Sequence, residues 1–165
     1  MSRHRYGVVS SIGPEGTPQS ALVGIAVTPE LEIVFDTVKS SRKYPNLIAR
    51  PSCSFVVGWA GEQTVQFEGV AYEPTGAELK KYREAYFAVW TDGPARREWP
   101  GIAYFVVRPR WIRYSDFDQR PAVIEELKLG EPGKSQFTTE NIEKEIFKDV
   151  TILRVAEASS KAATQ

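Results

Sequence analysis

The sequence predicts a mainly β domain in which six or seven short antiparallel strands close into a small barrel, accompanied by two or three short helices. Segments of alternating apolar residues recur at even spacing, and turns rich in glycine and proline separate them. Two segments before residue 116 show helical spacing instead. A chain of 165 residues, 42% of them hydrophobic, suits one such domain with a short appendage.

The first three strands form an antiparallel meander. Each is a run of apolar and β-branched residues, and short turns containing proline join them. The third strand alternates as expected for a strand that packs one face against a core. These strands are predicted over residues 6–12, 19–28 and 31–37.

A short helix follows the meander and is predicted over residues 40–49. Ser40 or Ser41 can cap its start, because a serine hydroxyl accepts a hydrogen bond from a free backbone N–H there. Pro51 ends it, since proline cannot continue a helix.

Two more strands, a longer helix, a loop and two last strands complete the predicted barrel. The longer helix begins with the capping-box spacing of Thr75 and Glu78, and its apolar residues recur every three or four positions. Pro109 separates the last two strands, because proline cannot donate to a strand ladder. The predicted strands are 52–59, 63–72, 102–108 and 110–116, with the helix over 76–90 and the loop over 91–101.

The composition changes after Asp116, so residues 1–116 are interpreted as the core domain and 117–165 as a C-terminal extension. Glycine and proline predict a loop over most of 117–135. A short helix over 140–148, a last strand over 150–155 and a frayed tail over 156–165 are expected to follow.

Charge and composition argue against several classes of function. The chain has 21 basic and 21 acidic residues, whereas a nucleic-acid-binding protein usually shows a basic excess. No apolar run approaches the length of a membrane span, and the first residues lack the apolar core of a signal peptide. The single cysteine, Cys53, suits a reducing compartment, so a cytoplasmic location is predicted.

The single histidine, His4, limits the chemistry that side chains alone can perform. A Ser-His-Asp or Cys-His catalytic set would have to recruit this terminal residue, and a structural zinc site needs about four Cys or His ligands. No metal site is therefore predicted, and no catalytic residue can be named. If the protein is an enzyme, a bound organic cofactor is expected to supply its reactivity.

The segment from Phe35 to Lys43 carries the groups that could hold a phosphate monoester. A strand ends at Thr37, and serine hydroxyls, Arg42 and Lys43 follow at the start of a helix. Arginine offers a bidentate fork to a phosphate, and lysine offers a point charge. The alternative interpretation is a capped surface helix with two solvated cations.

This stretch resembles the phosphate-binding segment of the pyridoxamine 5'-phosphate oxidase-like, FMN-binding split-barrel family. Similar elements occur in the same order upstream and downstream, over about residues 5–116. The residues that carry the resemblance are Gly16-Thr17-Pro18, Thr37, Ser41-Arg42-Lys43, Asn46-Leu47, Pro51 and the strand Val65-Gln66-Phe67-Glu68-Gly69-Val70-Ala71.

The resemblance implies a Greek-key split barrel that forms a homodimer, with FMN in a cleft between the subunits. The phosphate would meet Ser41, Arg42 and Lys43, and Asp36 and Thr37 would lie near the ring or the ribityl chain. Thr64 or Gln66 would contact the ring from the neighbouring strand. Apart from the resemblance, Trp99 could wall a flavin pocket from its place in a loop, and a lid, an interface role and ordinary packing remain open for it.

The sequence departs from the authentic oxidase at three places, which marks it as a divergent member. An arginine and a lysine of the second strand are replaced by Ala21 and Ala26 in this register. The element that grips the substrate phosphate in the oxidase ends in a histidine, and residues 117–121 contain none. Oxidation of pyridoxine phosphate is therefore not expected.

The predicted function is an FMN-binding oxidoreductase that exchanges a hydride with a small organic substrate or a nicotinamide. One alternative is a protein that binds or stores flavin without turnover. Another is a split barrel that holds a deazaflavin or haem in place of FMN, although a lone histidine is a poor basis for haem ligation.

Overall fold

The computed structural model describes residues 4–59 and 61–129, and it confirms the predicted fold class. In this part of the chain, six antiparallel strands close into a barrel, a seventh extends the sheet, and three helices lie outside it. The strands are β1 (Tyr6–Ile12), β2 (Pro18–Val27), β3 (Ile33–Val38), β4 (Ser52–Val57), β5 (Gln63–Tyr72), β6 (Ile102–Asp116) and β7 (Val123–Lys128). The helices are α1 (Lys43–Ala49), α2 (Gly76–Val89) and α3 (Gly93–Arg96).

The strand order confirms the Greek-key topology. The strands run β3-β2-β1-β4-β5-β6-β7 across the sheet, so β4 returns beside β1 after the first meander. The barrel closes where β3 pairs with the first half of β6, from Ile33 opposite Val107 to Val38 opposite Ile102. The second half of that same β6 edge pairs with β7 instead.

The predicted break at Pro109 is wrong, because β6 continues through it as one strand of 15 residues. The register between β5 and β6 shifts here, with Glu68 opposite Trp111 and Gly69 opposite Pro109. A β-bulge tolerates a residue that cannot donate to the ladder. Gly69 is required at this point, since an added Cβ would lie 2.4 Å from the carbonyl oxygen of Arg108.

Two segments predicted as loops contain regular structure. Residues 123–128 of the predicted 117–135 loop form β7, and residues 93–96 of the predicted 91–101 loop form α3. The predicted helix over 140–148, the strand over 150–155 and the tail lie outside the described residues. The boundary at residue 116 stays a prediction.

The interior of the barrel and the surface beneath α2 form two separate apolar clusters. The interior is filled by residues of all seven strands and of α1, with Phe35, Phe55 and Phe105 among its largest fully buried side chains. The second cluster lies between the outer face of β2, β3 and β6 and the aromatic residues of α2. The barrel interior is therefore a packed core with no room for a large organic ligand.

Helix α2 is fixed to the barrel by Trp90, which follows its last residue. The indole Nε1 donates to the carbonyl oxygen of Ile25 at 3.1 Å, and the ring stacks against Tyr86. The ring lies directly on Gly24, where an added Cβ would approach it within 2.6 Å. The Arg5 guanidinium covers the ring, 4.2 Å from its centroid.

The helices are short, and the longest of them, α2, has 14 residues. None of the helices within the described part of the chain is long and apolar enough to span a membrane.

Candidate functional site

A cavity of about 220 Å³ lies between β1, β2 and the start of α1. The two neighbouring cations Arg42 and Lys43 line it from the helix side, and residues of the two strands line it from the barrel. The strand residues are Val9, Ser11, Gln19, Ser20 and Ala21. The structure therefore turns both predicted cations toward one concave site, rather than leaving them on a uniformly solvated helix surface.

The turn before α1 holds this arrangement in place. The Ser41 N–H donates to the carbonyl oxygen of Val38 at 2.9 Å, and the hydroxyls of Ser41 and Thr37 lie 2.9 Å apart. The expectation that Ser40 or Ser41 caps the helix is wrong, because Arg42 occupies the N-cap position and no side chain caps it. The Ser41 hydroxyl contacts the end of β3 instead.

The two cations differ in their surroundings. Arg42 is exposed, whereas Lys43 is half-buried between the turn and the barrel. Burial lowers the pKa of Lys43, and the nearby Asp36 carboxylate partly opposes that shift. A bound anion would favour the charged form of Lys43, so the protonated amine and an anion would stabilise each other in this cavity.

Asp36 lies on the outer face of β3, beneath α2, and does not line the cavity. Its carboxylate accepts a hydrogen bond from the Tyr86 hydroxyl at 2.9 Å and forms an ion pair with Arg96 of α3 at 3.0 Å. Burial and the negative charge of Asp36 raise the pKa of Tyr86, which keeps this phenol protonated as a donor. The helices thus supply a hydrogen bond to Oδ1 of Asp36 and a positive charge beside its Oδ2.

Three of the predicted cofactor residues lie away from the cavity within one chain. Thr64 and Gln66 share the outer face of β5, and β4 and β1 separate that strand from β2. Measured along the sheet, two strand spacings of about 4.8 Å put β5 roughly 10 Å from β1, the nearer of the two strands that line the cavity. Trp99 follows α3, and 55% of its surface is exposed. Their contact with a cofactor stays a prediction.

The two alanines that replace cations of the authentic oxidase occupy different surroundings. Ala21 lines the cavity beside Arg42 and Lys43, at the place where another cation would face the same anion. Ala26 is buried under α2 with Tyr86 and Trp90, so that position has no room for a lysine side chain. Only Ala21 therefore bears directly on the charge of the cavity.

Ser11, Gln19 and Asn46 belong to the site but were not predicted as site residues. Asn46 is buried on α1, and its Nδ2 donates to Ser11 Oγ at 3.1 Å and to Gln19 Oε1 at 3.0 Å. The period of β1 places Ser11 on the inner face with Val9, so this inward polar residue was a readable signal. No local sequence pattern around Gln19 or Asn46 indicates that these two side chains form a hydrogen bond.

Residues 1–116 match the sequence profile of the family described as pyridoxamine 5'-phosphate oxidase. This match covers the whole barrel and all three helices described above. No curated protein matches the chain.

Solved structures share the fold. A heme binding protein from Mycobacterium smegmatis is 19% identical, with a TM-score of 0.65 over 75% of this chain and 52% of its own. A pyridoxamine 5'-phosphate oxidase-related, FMN binding protein from Nostoc punctiforme is 11% identical, with a TM-score of 0.56 over 76% of this chain and 87% of its own. A conserved hypothetical protein from Mycobacterium tuberculosis is 25% identical, with a TM-score of 0.60 over 81% and 87%. The chain spans about half the length of the first of these proteins.

Proposed function

The chain belongs to the pyridoxamine 5'-phosphate oxidase family, and from this membership we propose that it is an FMN-binding oxidoreductase. The observation that carries the proposal is the cavity lined by Arg42 and Lys43. Two adjacent cations over a polar strand surface suit the dianionic phosphate of FMN. The FMN binding protein from Nostoc punctiforme shares this fold, which supports the same assignment.

The size of the cavity indicates which part of FMN it would hold. Its volume of about 220 Å³ is smaller than the ~300–1,000 Å³ of a typical pocket for a whole organic ligand. The phosphate and the adjoining ribityl carbons would enter it, and the flat ring would lie outside the barrel. The hydroxyls of Thr37 and Ser41, which contact each other beside α1, would border the ribityl chain.

The residues of this chain would bind and orient the cofactor. Arg42 and Lys43 would neutralise the phosphate, and the ion pair of Asp36 with Arg96 would hold α3 against β3. FMN, when bound, would supply hydride exchange with a small organic substrate or a nicotinamide.

We further propose that the protein is a homodimer formed through the outer face of β2, β1, β4 and β5. Leu22, Val8, Val56 and Gln66 are successive neighbours across these strands, and 61% of Leu22 and 40% of Val56 are exposed. A second copy would bury the apolar side chains of this row. It would also bring its own Thr64 and Gln66 toward the ring, so that both chains would line each of two equivalent sites.

The homodimer predicts a particle of about twice 18.5 kDa in gel filtration with light scattering. Val56→Asp should shift this mass to that of a monomer, because a charge would be buried in the interface. FMN should dissociate along with the dimer. Ile48→Asp is the matched control, because Ile48 is an exposed apolar residue on α1, outside the four strands of that face. A monomeric wild-type protein that retains FMN would refute the homodimer.

The experiment that tests the proposed function is a titration of the purified protein with FMN, riboflavin, a deazaflavin and haem. We expect FMN to bind most tightly and to show the absorbance of a bound flavin. Oxidation of reduced nicotinamide by the FMN-loaded protein is then expected. Binding without turnover would indicate a flavin-storage protein, and preferential binding of the deazaflavin or of haem would overturn the FMN assignment.

Haem is the second candidate, because the structural relative from Mycobacterium smegmatis is a heme binding protein. This chain offers little for axial ligation, since His4 is its single histidine. Cys53 is buried in the barrel core and does not line the cavity, so it is not placed to ligate a haem iron there. The paired cations favour a phosphate-bearing cofactor over haem.

A further inference from the structure

The strand wall of the cavity contains a buried serine whose hydrogen is not used by the fold. Ser11 lies on the inner face of β1, is only 2% exposed and lines the cavity. Its Oγ accepts a hydrogen bond from Asn46 Nδ2 at 3.1 Å. A hydroxyl that accepts in this way still has its own hydrogen to donate. Within residues 4–59 and 61–129 that hydrogen bonds to no other group.

Asn46 determines which way the hydroxyl is turned. It is 4% exposed, and the same Nδ2 also donates to Gln19 Oε1 at 3.0 Å, so the amide is held between two strands. With an amide N–H directed at Ser11, the hydroxyl must act as acceptor toward α1 and as donor in another direction. A carbonyl or carboxylate oxygen in place of that N–H would draw the hydrogen toward α1 instead.

We propose that the Ser11 hydroxyl is a third ligand of the phosphate, and that Asn46 is the positioning residue that directs its hydrogen into the cavity. This inference rests on the proposed function and deepens it. Arg42 and Lys43 from the helix side and Ser11 from the strand side would then all offer hydrogen-bond donors to the cavity, which fits the acceptor oxygens of a phosphate. Ser11 would thereby replace part of the phosphate contact that is lost because Ala21 stands where the authentic oxidase has a cation.

The test is a titration of Ser11→Ala with FMN, riboflavin and inorganic phosphate. We expect the affinity for FMN to fall about tenfold or more, with a parallel loss for inorganic phosphate, because a hydrogen bond to a charged group is lost. Riboflavin, which has no phosphate, should bind as it does to the wild type. Ser115→Ala is the matched control, because it removes a buried strand hydroxyl that is not part of the cavity.

The outcomes separate the two proposals. A wild-type protein that binds FMN no better than riboflavin would overturn the phosphate site as a whole. If the wild type prefers FMN over riboflavin and Ser11→Ala keeps that preference unchanged, the role of Ser11 is overturned while the phosphate site itself is not. Equal losses of FMN and riboflavin in Ser11→Ala would also overturn it, since they would indicate a general disturbance of the site.

The role of Asn46 is tested by a double-mutant cycle with Asn46→Asp, which has nearly the same shape. The carboxylate adds a negative charge and also draws the Ser11 hydrogen away from the cavity. If Asn46 acts through Ser11, its substitution should cost FMN affinity by a larger factor in the wild type than in Ser11→Ala. Equal factors in both backgrounds would assign the loss to charge alone and overturn the positioning role.

Discussion

Replacing Arg42 and Lys43 together with alanine is expected to weaken FMN binding by about 3 to 6 kcal/mol, because each hydrogen bond to a charged group contributes about 1.5–3 kcal/mol. Both cations line the cavity, and Lys43 is half-buried there, so solvent screens its charge less than at an open surface. Riboflavin should lose far less affinity. Quenching of flavin fluorescence during titration measures both ligands in the same way.

The matched control is the double replacement of Lys80 and Lys81 with alanine. These two adjacent cations are exposed on α2 and are not part of the cavity, so FMN affinity should stay close to that of the wild type. If the Lys80 and Lys81 variant loses as much FMN affinity as the Arg42 and Lys43 variant, the loss reflects the net charge of the protein and not the cavity. Equal losses of FMN and riboflavin in the Arg42 and Lys43 variant would refute the phosphate site.

Trp90→Ala is expected to lower the free energy of unfolding by about 3–5 kcal/mol, as large-to-small aromatic replacements do in well-packed cores. The indole is 92% buried, donates to Ile25 and packs on Gly24, so its loss leaves a cavity and an unpaired carbonyl oxygen. Denaturation by urea, followed by far-ultraviolet circular dichroism, measures the change.

Two control variants show which property of Trp90 causes the change in the free energy of unfolding. Trp90→Phe keeps a ring in the same place but removes the indole N–H, so its loss should be intermediate. Trp59→Ala removes a tryptophan that is 54% exposed and should change stability by no more than about 0.5 kcal/mol. A Trp90→Ala variant as stable as Trp59→Ala would contradict the description of Trp90 as the residue that fixes α2 to the barrel.

The barrel strands were predictable from sequence because their signals are local. Alternation and turn residues indicate a strand wherever it pairs, as in β1 to β5. Strand β7 was missed because Glu125, Glu126 and Lys128 make it polar, and it exists through pairing with the far half of β6. The continuity of β6 through Pro109 depends on the bulge opposite Gly69, and a single strand carries no sign of its partner's register.

The candidate site was predictable only where its residues are adjacent in the chain. Arg42 and Lys43 follow one another, so their common location was readable from the sequence. Ser11, Gln19 and Asn46 come from three separate elements. The β1–β2 hairpin places Ser11 opposite Gln19, and the packing of α1 against β1 brings Asn46 to both. The sequence also did not indicate that the Asp36 side chain faces α2 and α3, because its partners Tyr86 and Arg96 lie about 50 residues or more further along the chain.

The pairing of β6 has a consequence for how the chain reaches its folded state. The pairs within β1-β2-β3 and within β4-β5 join neighbouring segments, so those hairpins close short loops. Closure of the barrel instead joins Ile33 to Val107, which costs the entropy of a loop of about 70 residues. Long-range pairing of this kind slows folding. The two hairpin systems are therefore expected to form early, and the seam between β3 and β6 is expected to form late, in the rate-limiting part of the reaction.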